Sequence, residues 1–403
     1  MYSLIFKLAF SNAFLRLNRT ILLILMISVS MSMMISIQGL YDGMTLSLID
    51  KSKRSDSGEI SVYGNGYRLD KSLSNNIHGY QQLKNELQDM EDIKRLAFRL
   101  KADGLISTAR KSSFATMIGI DLKEEEKFGK FSEFLVEGEL SLGKRDILLS
   151  KEVAKNLKVK VGSKIIFSTQ DSSGEINAMA LKVKALITTN NIALDSSAIY
   201  INRERLRKFL SLSNDIITQV AIRSDSETLK ELLTQKYNKL DVKSFLELYP
   251  MIQQMQDMML IFNSITFVIV MSVVFIGIMG VMYVSILDRI REFGIMRSIG
   301  LSYRLIRLQI FSEAIFLGLA GYLFGALFGF GALYYLHSFG LDLSEFSDGM
   351  ESFGMSSVIY AQIKIDYFSS TFIAILLASL ISVLPARKKI KTMNSIEVTK
   401  VET

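Results

Sequence analysis

The chain has 403 residues, 49% of them hydrophobic, with a mean hydropathy of +0.28 and a formal net charge of +7. That balance is too apolar for a water-soluble protein of this length and points to membrane segments. The chain has no cysteine, which excludes disulfides and thiolate sites. Its positive charge comes without the aromatic-basic interleaving of nucleic-acid binders, so no nucleic-acid partner is expected.

Residues 1–20 set Leu4, Leu8, Phe10, Phe14, Leu15 and Leu17 among Lys7, Ser11, Asn12, Arg16 and Asn18. They read either as an amphipathic helix at the membrane interface, its cations near anionic lipid heads, or as a simple extension of the first span. The first span is expected at 21–41, where Ile21 to Leu40 carries no charge and the run stops at Tyr41-Asp42. About 20 apolar residues cross the ~30 Å hydrocarbon core as a helix. No small-residue cleavage site precedes Asp42, so the run is read as a retained span.

Residues 42–257 carry the pattern of an α+β domain. Gly58 to Tyr63 reads as a strand, Tyr80 to Met90 as a helix and Ile93 to Leu100 as a strand. Ile217 to Ile222, Ser226 to Tyr237 and Val242 to Leu246 repeat the same strand–helix–strand order. Between the two units, at about 135–212, a strand-rich insert is expected: Asp146 to Leu149, Lys164 to Ser168, Met179 to Ile187 and Ala198 to Ile201, with a hairpin turn at Asp171-Ser-Ser-Gly174.

The second span, 258–287, is uncharged and would make a helix of about 45 Å, longer than the membrane core. No strong breaker follows Pro250, so the helix is expected to continue outward as a stalk. A charged segment at 288–307 precedes the third span, 308–338, whose Gly321, Gly325 and Gly329 stand four residues apart beside Gly318 and Gly331. Small residues at this spacing let helices approach closely. They are read as packing within one subunit rather than as a dimer seam. A loop at 339–366 holds Asp342, Glu345, Asp348, Glu351 and Asp366 against Lys364; the fourth span is 367–385, and 386–403 is a basic tail. Cations flank the first span's start, fill 288–307 and follow the fourth span, so both termini and 288–307 are expected in the cytoplasm, with 42–257 and 339–366 on the outer side.

Little chemistry accompanies this layout. There is no GxxxxGK[ST] phosphate loop, so no ATP binding by the chain itself is expected. His78 and His337 lack metal-ligand spacing, and there is no GxSxG. Glu313, the one carboxylate of the third span, is expected to pair with Arg304 or Arg307 at the interface. The stretch Asp288-Arg-Ile-Arg-Glu-Phe-Gly-Ile-Met-Arg-Ser-Ile-Gly300 remains. As a helix it puts Ile290, Phe293, Met296 and Ile299 near one face, with Arg289, Arg291, Glu292 and Arg297 on the rest. By periodicity alone it could equally be a solvated juxtamembrane loop.

The order of residues from Glu292 to Gly300, with Arg289 before and Glu313-Ala after, resembles the coupling segment of the MacB/FtsX-like (type VII) ABC transporter permeases. Weaker likenesses run along the chain: Lys7 to Arg16, Gly58-Glu-Ile-Ser-Val62, Leu157 to Gly162, Leu181 to Ala185 and Pro385-Ala-Arg387. Gly119-Ile-Asp121, followed by Leu122 and by Lys123 to Glu126, is similar to the Gly-Ile-Asp-Pro-x-x-Glu stretch of the LolC and LolE lipoprotein-releasing permeases, with Leu122 where those have Pro.

The resemblance implies four membrane helices, one plus three, with a large α+β periplasmic domain between the first and second. It implies a bacterial inner-membrane permease with no cofactor of its own, ATP and Mg being bound by a cytoplasmic ABC ATPase dimer. That ATPase would grip Arg289, Arg291, Glu292, Phe293, Gly294, Ile295, Met296, Arg297, Ile299 and Gly300. A second permease subunit, a lipoprotein substrate and a periplasmic carrier are the further partners expected. Efflux of a peptide or amphiphile, transmission without transport, and a membrane-anchored sensor stand as alternatives. The methionines of the first two spans fit a pliable wall for acyl chains or ordinary lipid-facing side chains.

Overall fold

The computed structural model describes residues 17–346, 349 and 356–384. The expected amphipathic segment before Leu17, Pro385 and the basic tail lie outside the described residues. Helix α1 (Leu17–Ser52) runs well past the apolar stretch and passes into a π-helical turn, Lys53–Ser57, which ends at Gly58 with φ +64°. The main elements that follow are β1 (Ile60–Gly64), α2 (Tyr80–Gln88), β2 (Arg95–Ser107), β3 (Ser112–Ile120), α3 (Leu122–Gly129), β4 (Leu135–Gly138) and β5 (Asp146–Ser150). Next come α4 (Lys151–Leu157), β6 (Lys164–Gln170), β7 (Ile176–Ile187), β8 (Ala198–Asn202), α5 (Arg203–Phe209), β9 (Gln219–Arg223), α6 (Leu229–Lys236) and β10 (Leu240–Ser244). The chain then forms α7 (Pro250–Asp288), α8 (Ile290–Ser298), α9 (Tyr303–Phe339) and α10 (Ile365–Ser382). Among the described residues two compact units result, one holding 17–45, Gln256–Leu343 and 358–384, the other Leu46–Met255 with 344–346, 349 and 356–357.

The first unit is a bundle of α1, α7, α9 and α10, each long and apolar enough to cross a membrane. Helices suit lipid because they satisfy their own backbone polar groups. Their buried faces repeat every three or four residues: Leu23, Ile27 and Met31 on α1, Val274, Ile278, Met282 and Ile286 on α7, and Ile310, Ala314 and Leu317 on α9. Gly321, Gly325 and Gly329 receive the ridge of α1. A Cβ on Gly321 would stand 2.6 Å from that of Ile27, and one on Gly325 would stand 2.7 Å from that of Met31 and 2.9 Å from the Ser28 carbonyl oxygen. On Gly329 it would come within 3.2 Å of Ser32 Cα. Toward the other end of α1, the Gln362 amide donates to the Gly39 carbonyl at 2.9 Å. There Tyr367 donates to Asp42 at 2.7 Å, and Lys364 pairs with the same carboxylate.

The second unit is an α+β domain in two parts. Strands β10, β1, β9 and β2 form an antiparallel sheet in that order, with α2 linking β1 to β2 and α6 linking β9 to β10. This is the split βαβ arrangement, built on a core of Ile60, Val62, Leu83, Leu87, Phe98, Val220, Ile222, Leu229 and Leu233. The second half of β2 leaves that sheet and joins a closed ring, β2-β3-β8-β5-β7-β6, in which β6 pairs back onto β2 at Ser107↔Ile166. Closure removes exposed sheet edges. Leu100, Ile106, Met117, Ile147, Leu149, Phe167, Val183 and Ile199 are buried together in the ring's core. The β6–β7 turn is closed by Asp171, whose carboxylate accepts the amides of Ser173 and Glu175, before Gly174 at φ +89°.

The ring takes in β3 and the second half of β2, both of which precede residue 135. β3 reads Ser-Ser-Phe-Ala-Thr-Met-Ile-Gly-Ile, with polar residues at its start, and is held by its parallel pairing with β8 some 80 residues downstream.

Gly325→Leu should cost about 1–3 kcal/mol by overpacking the α1–α9 contact. The expected outcome is a clear fall in the thermal midpoint of the detergent-solubilised protein. Gly331→Ala is the control, since a Cβ there meets nothing within 4 Å. Phe167→Ala, which empties the centre of the ring, should cost about 3–5 kcal/mol in the same measurement.

Candidate functional site

Helix α7 ends at Asp288 because Arg289 leaves helical geometry, with φ −111° and ψ 19°. The chain turns and α8 starts at Ile290. Its far end is a Schellman motif: Leu301 N–H donates to Met296 O and Gly300 N–H to Arg297 O, both at 3.0 Å, with Gly300 at φ +93°. A side chain at Gly300 would strain this stop. Met296 and Leu301, the apolar pair that accompanies such a cap, pack against the bundle core. Ser302 then opens α9.

Helix α8 buries one side chain fully. Phe293 is 2% exposed and enters the core cluster of Ile286, Ile306 and Ile310. Burying a phenylalanine in this way stabilises by about 1.5–3 kcal/mol. The Arg289 guanidinium lies 5.2 Å from the Phe293 ring centroid and covers it. Ile290, Gly294 and Met296 are half-buried, and Arg291, Glu292 and Arg297 are exposed.

The sequence puts Ile299 with Phe293 on one apolar face, and the structure corrects this. The helix stops at Ser298, so Ile299 is the cap residue and is 77% exposed. Ile295, one turn earlier, is 64% exposed. Arg291, Ile295 and Ile299 therefore follow one another at four-residue spacing on the outer side of the segment.

A charged cluster fixes the start of α8. Arg289 Nε donates to Glu292 Oε2 at 2.9 Å and Nη1 to Glu313 Oε2 at 3.2 Å. Ser285 Oγ donates to the other Glu313 oxygen at 3.4 Å, and Arg19 Nη1 donates to Asp288 Oδ2 at 3.1 Å. These groups, with Thr20, Val281, Met282 and Leu317, line a cavity of about 110 Å³. The partner expected for Glu313 was Arg304 or Arg307. Neither is three or four residues away on α9, the spacing at which helical neighbours meet, and Arg289 reaches Glu313 from the turn instead. Arg19 and Ser285 were not singled out in the sequence as members of this site, and Asp288 entered only as the first residue of the charged stretch. Asp288 had a signal, because the first carboxylate after a long uncharged span stands at its boundary. Gly321, Gly325 and Gly329 lie away from α8, against α1. Among the described residues no group of His, Asp or Glu is placed to hold a metal ion.

The MacB-like periplasmic core domain family matches residues 20–236, and the FtsX-like permease C-terminal family matches residues 264–394. The lipoprotein-releasing system transmembrane protein LolE of Haemophilus influenzae is 22% identical over 290 residues, covering 68% of this chain and 67% of its own length. Among solved structures, the extracellular domain of the noncanonic ABC-type transporter YknZ from Gram-positive bacteria is 14% identical, with a TM-score of 0.32 over 46% of this chain and 98% of that one. The periplasmic region of MacB from Actinobacillus actinomycetemcomitans is likewise 14% identical, with a TM-score of 0.33 over 48% and 92% of the two chains. The first family match covers more than half of the chain. Four apolar helices, one before and three after an inserted domain of the MacB type, thus make this chain a member of the MacB/FtsX-like (type VII) ABC transporter permeases, near their LolC/LolE branch.

Proposed function

We propose that this permease releases lipoproteins from the bacterial inner membrane, driven by ATP hydrolysed on a separate cytoplasmic ATPase that docks on α8. The observation that carries the docking surface is the division of α8 into two sides. Phe293, Met296 and the Arg289–Glu313 pair fasten one side to the bundle, and Ile295 and Ile299 stay exposed beside Arg291 on the other. Two exposed isoleucines one turn apart, rimmed by charge, suit a partner groove that reads a helix by its i and i+4 anchors. Nucleotide and Mg²⁺ belong to that partner, and the termini and α8 lie on its side of the membrane.

The likeness to LolE supports the lipoprotein substrate. Lipid anchors hold to the bilayer by about 0.8 kcal/mol per buried CH₂, so a multi-chain anchor leaves only when work is done on it. The most apolar window of α7 is 17% buried, against 39% for α1 and α9. That leaves an apolar face for a second permease subunit or for acyl chains.

Depletion of the protein should leave outer-membrane lipoproteins in the inner-membrane fraction. Normal sorting after depletion would overturn the lipoprotein substrate in favour of efflux or of transmission without transport.

Ile295→Asp should weaken capture of the ATPase at least about tenfold, the loss typical of an interface anchor. Glu292→Arg, which places a cation against Arg289, and Gly294→Trp should do the same while the chain still inserts. Unchanged ATPase association and activity in the reconstituted complex would remove α8 as the docking element.

A further inference from the structure

The inserted domain holds a buried charge cluster that the docking site does not use. Asp56, in the π-helical turn after α1, is 6% exposed as a residue, and Arg99 on β2 is 1% exposed. Arg99 Nη1 lies 3.3 Å from Asp56 Oδ1 and also donates to the Asp56 carbonyl. Lys101 Nζ donates to Asp56 Oδ1 at 2.7 Å, and Tyr249 Oη donates to Asp56 Oδ2 at 2.5 Å. On its other side Arg99 grips Glu125 of α3 with both branches, Nε to Oε1 at 2.6 Å and Nη2 to Oε2 at 2.7 Å. Burial works against the charge on Arg99, and the Glu125 carboxylate more than offsets it, holding the guanidinium above its ordinary value. Burial pushes the Lys101 amine down, with Asp56 opposing the shift.

Position in the chain gives the cluster its meaning. Asp56 follows α1 by four residues, and Tyr249 precedes α7 by one. The last residue group reached from the first span and the last before the second span are therefore bonded to each other through one carboxylate. Arg99 ties the same carboxylate to β2, the strand shared by the two parts of the domain. Buried ion clusters add little net stability compared with apolar packing, but removing one member leaves an uncompensated charge. π-Turns, too, recur at functional sites.

We propose that Asp56 is a positioning residue: it joins the end of α1 and the start of α7 to the inserted domain so that the two segments shift together. The proposal rests on the ATP-driven release by a separately docked ATPase proposed above. Hydrogen exchange on the full chain in nanodiscs, without ATPase or substrate, tests the joint alone, so its failure leaves the permease reading standing. Asp56→Asn should speed exchange at least about tenfold in residues 53–59 and in residues 245–252 together, and leave α8 unchanged. Tyr249→Phe removes one hydroxyl and keeps the ring. It should speed exchange in 53–59 as well as in its own segment, and should add nothing in the Asp56→Asn background. If Tyr249→Phe changes only 245–252, or if its effect persists undiminished beside Asp56→Asn, the two segments are held separately and the joint is wrong.

Discussion

The close approach of α1 and α9 along Gly321, Gly325 and Gly329 is the contact on which the membrane bundle depends. Helix α1 is separated from the other three by the whole inserted domain, so no short loop holds it in place. In lipid there is no hydrophobic drive to bring it back, because the surrounding chains are as apolar as the helix. What remains is close packing, and packing needs the two backbones near each other. Three glycines remove the side chains in the way, and Ile27, Ser28, Met31 and Ser32 fill the space. Asp42, held by Lys364 and Tyr367, ties α1 to α10 at its other end.

The α7–α8 turn is built on that bundle by two kinds of force. Phe293 supplies apolar burial, which is strong but lets the helix roll about its own axis. Arg289 supplies direction, since its guanidinium is fixed at once by Glu292, Glu313 and the Phe293 ring. A planar fork with several donors suits this task better than an ammonium would. The Gly300 cap then stops α8 after nine residues, which leaves Ile295 and Ile299 standing clear of the core.

Strand β2 plays the same organising part in the inserted domain. Its 13 residues serve the antiparallel sheet with their first half and the closed ring with their second. Arg99 sits at the change from one to the other, which is why a buried guanidinium there can reach both Glu125 of α3 and Asp56 in the turn after α1. The Gly119-Ile-Asp121 stretch gains a physical reading from this. Asp121 caps α3 by accepting the Lys123 amide at 2.9 Å, Leu122 takes the first helical position, which proline also favours, and Glu125 turns inward to Arg99.

The four spans, the inserted α+β domain and the charged segment after α7 were legible in the sequence. Lipid demands about 20 uncharged residues in a row, and such runs are local features that any fold must preserve. The paired strand–helix–strand units were legible for the same reason, since their periodicity is written in neighbouring residues. Contacts between residues far apart in the chain were not. The ring of strands forms only when β3 meets β8 and β6 meets β2, and β3 alone carries no apolar run long enough to announce itself. Glu313 could be seen as a lone carboxylate near a span's end, but its partner Arg289 is set by the angle of a turn. Ile299 looked like part of the apolar face until the Schellman cap ended the helix one residue before it. Composition and period therefore determined where this chain crosses the membrane and where its charged segment lies. Tertiary structure alone decided which side of that segment is anchored, because burial depends on where helices stop and on what comes back to meet them.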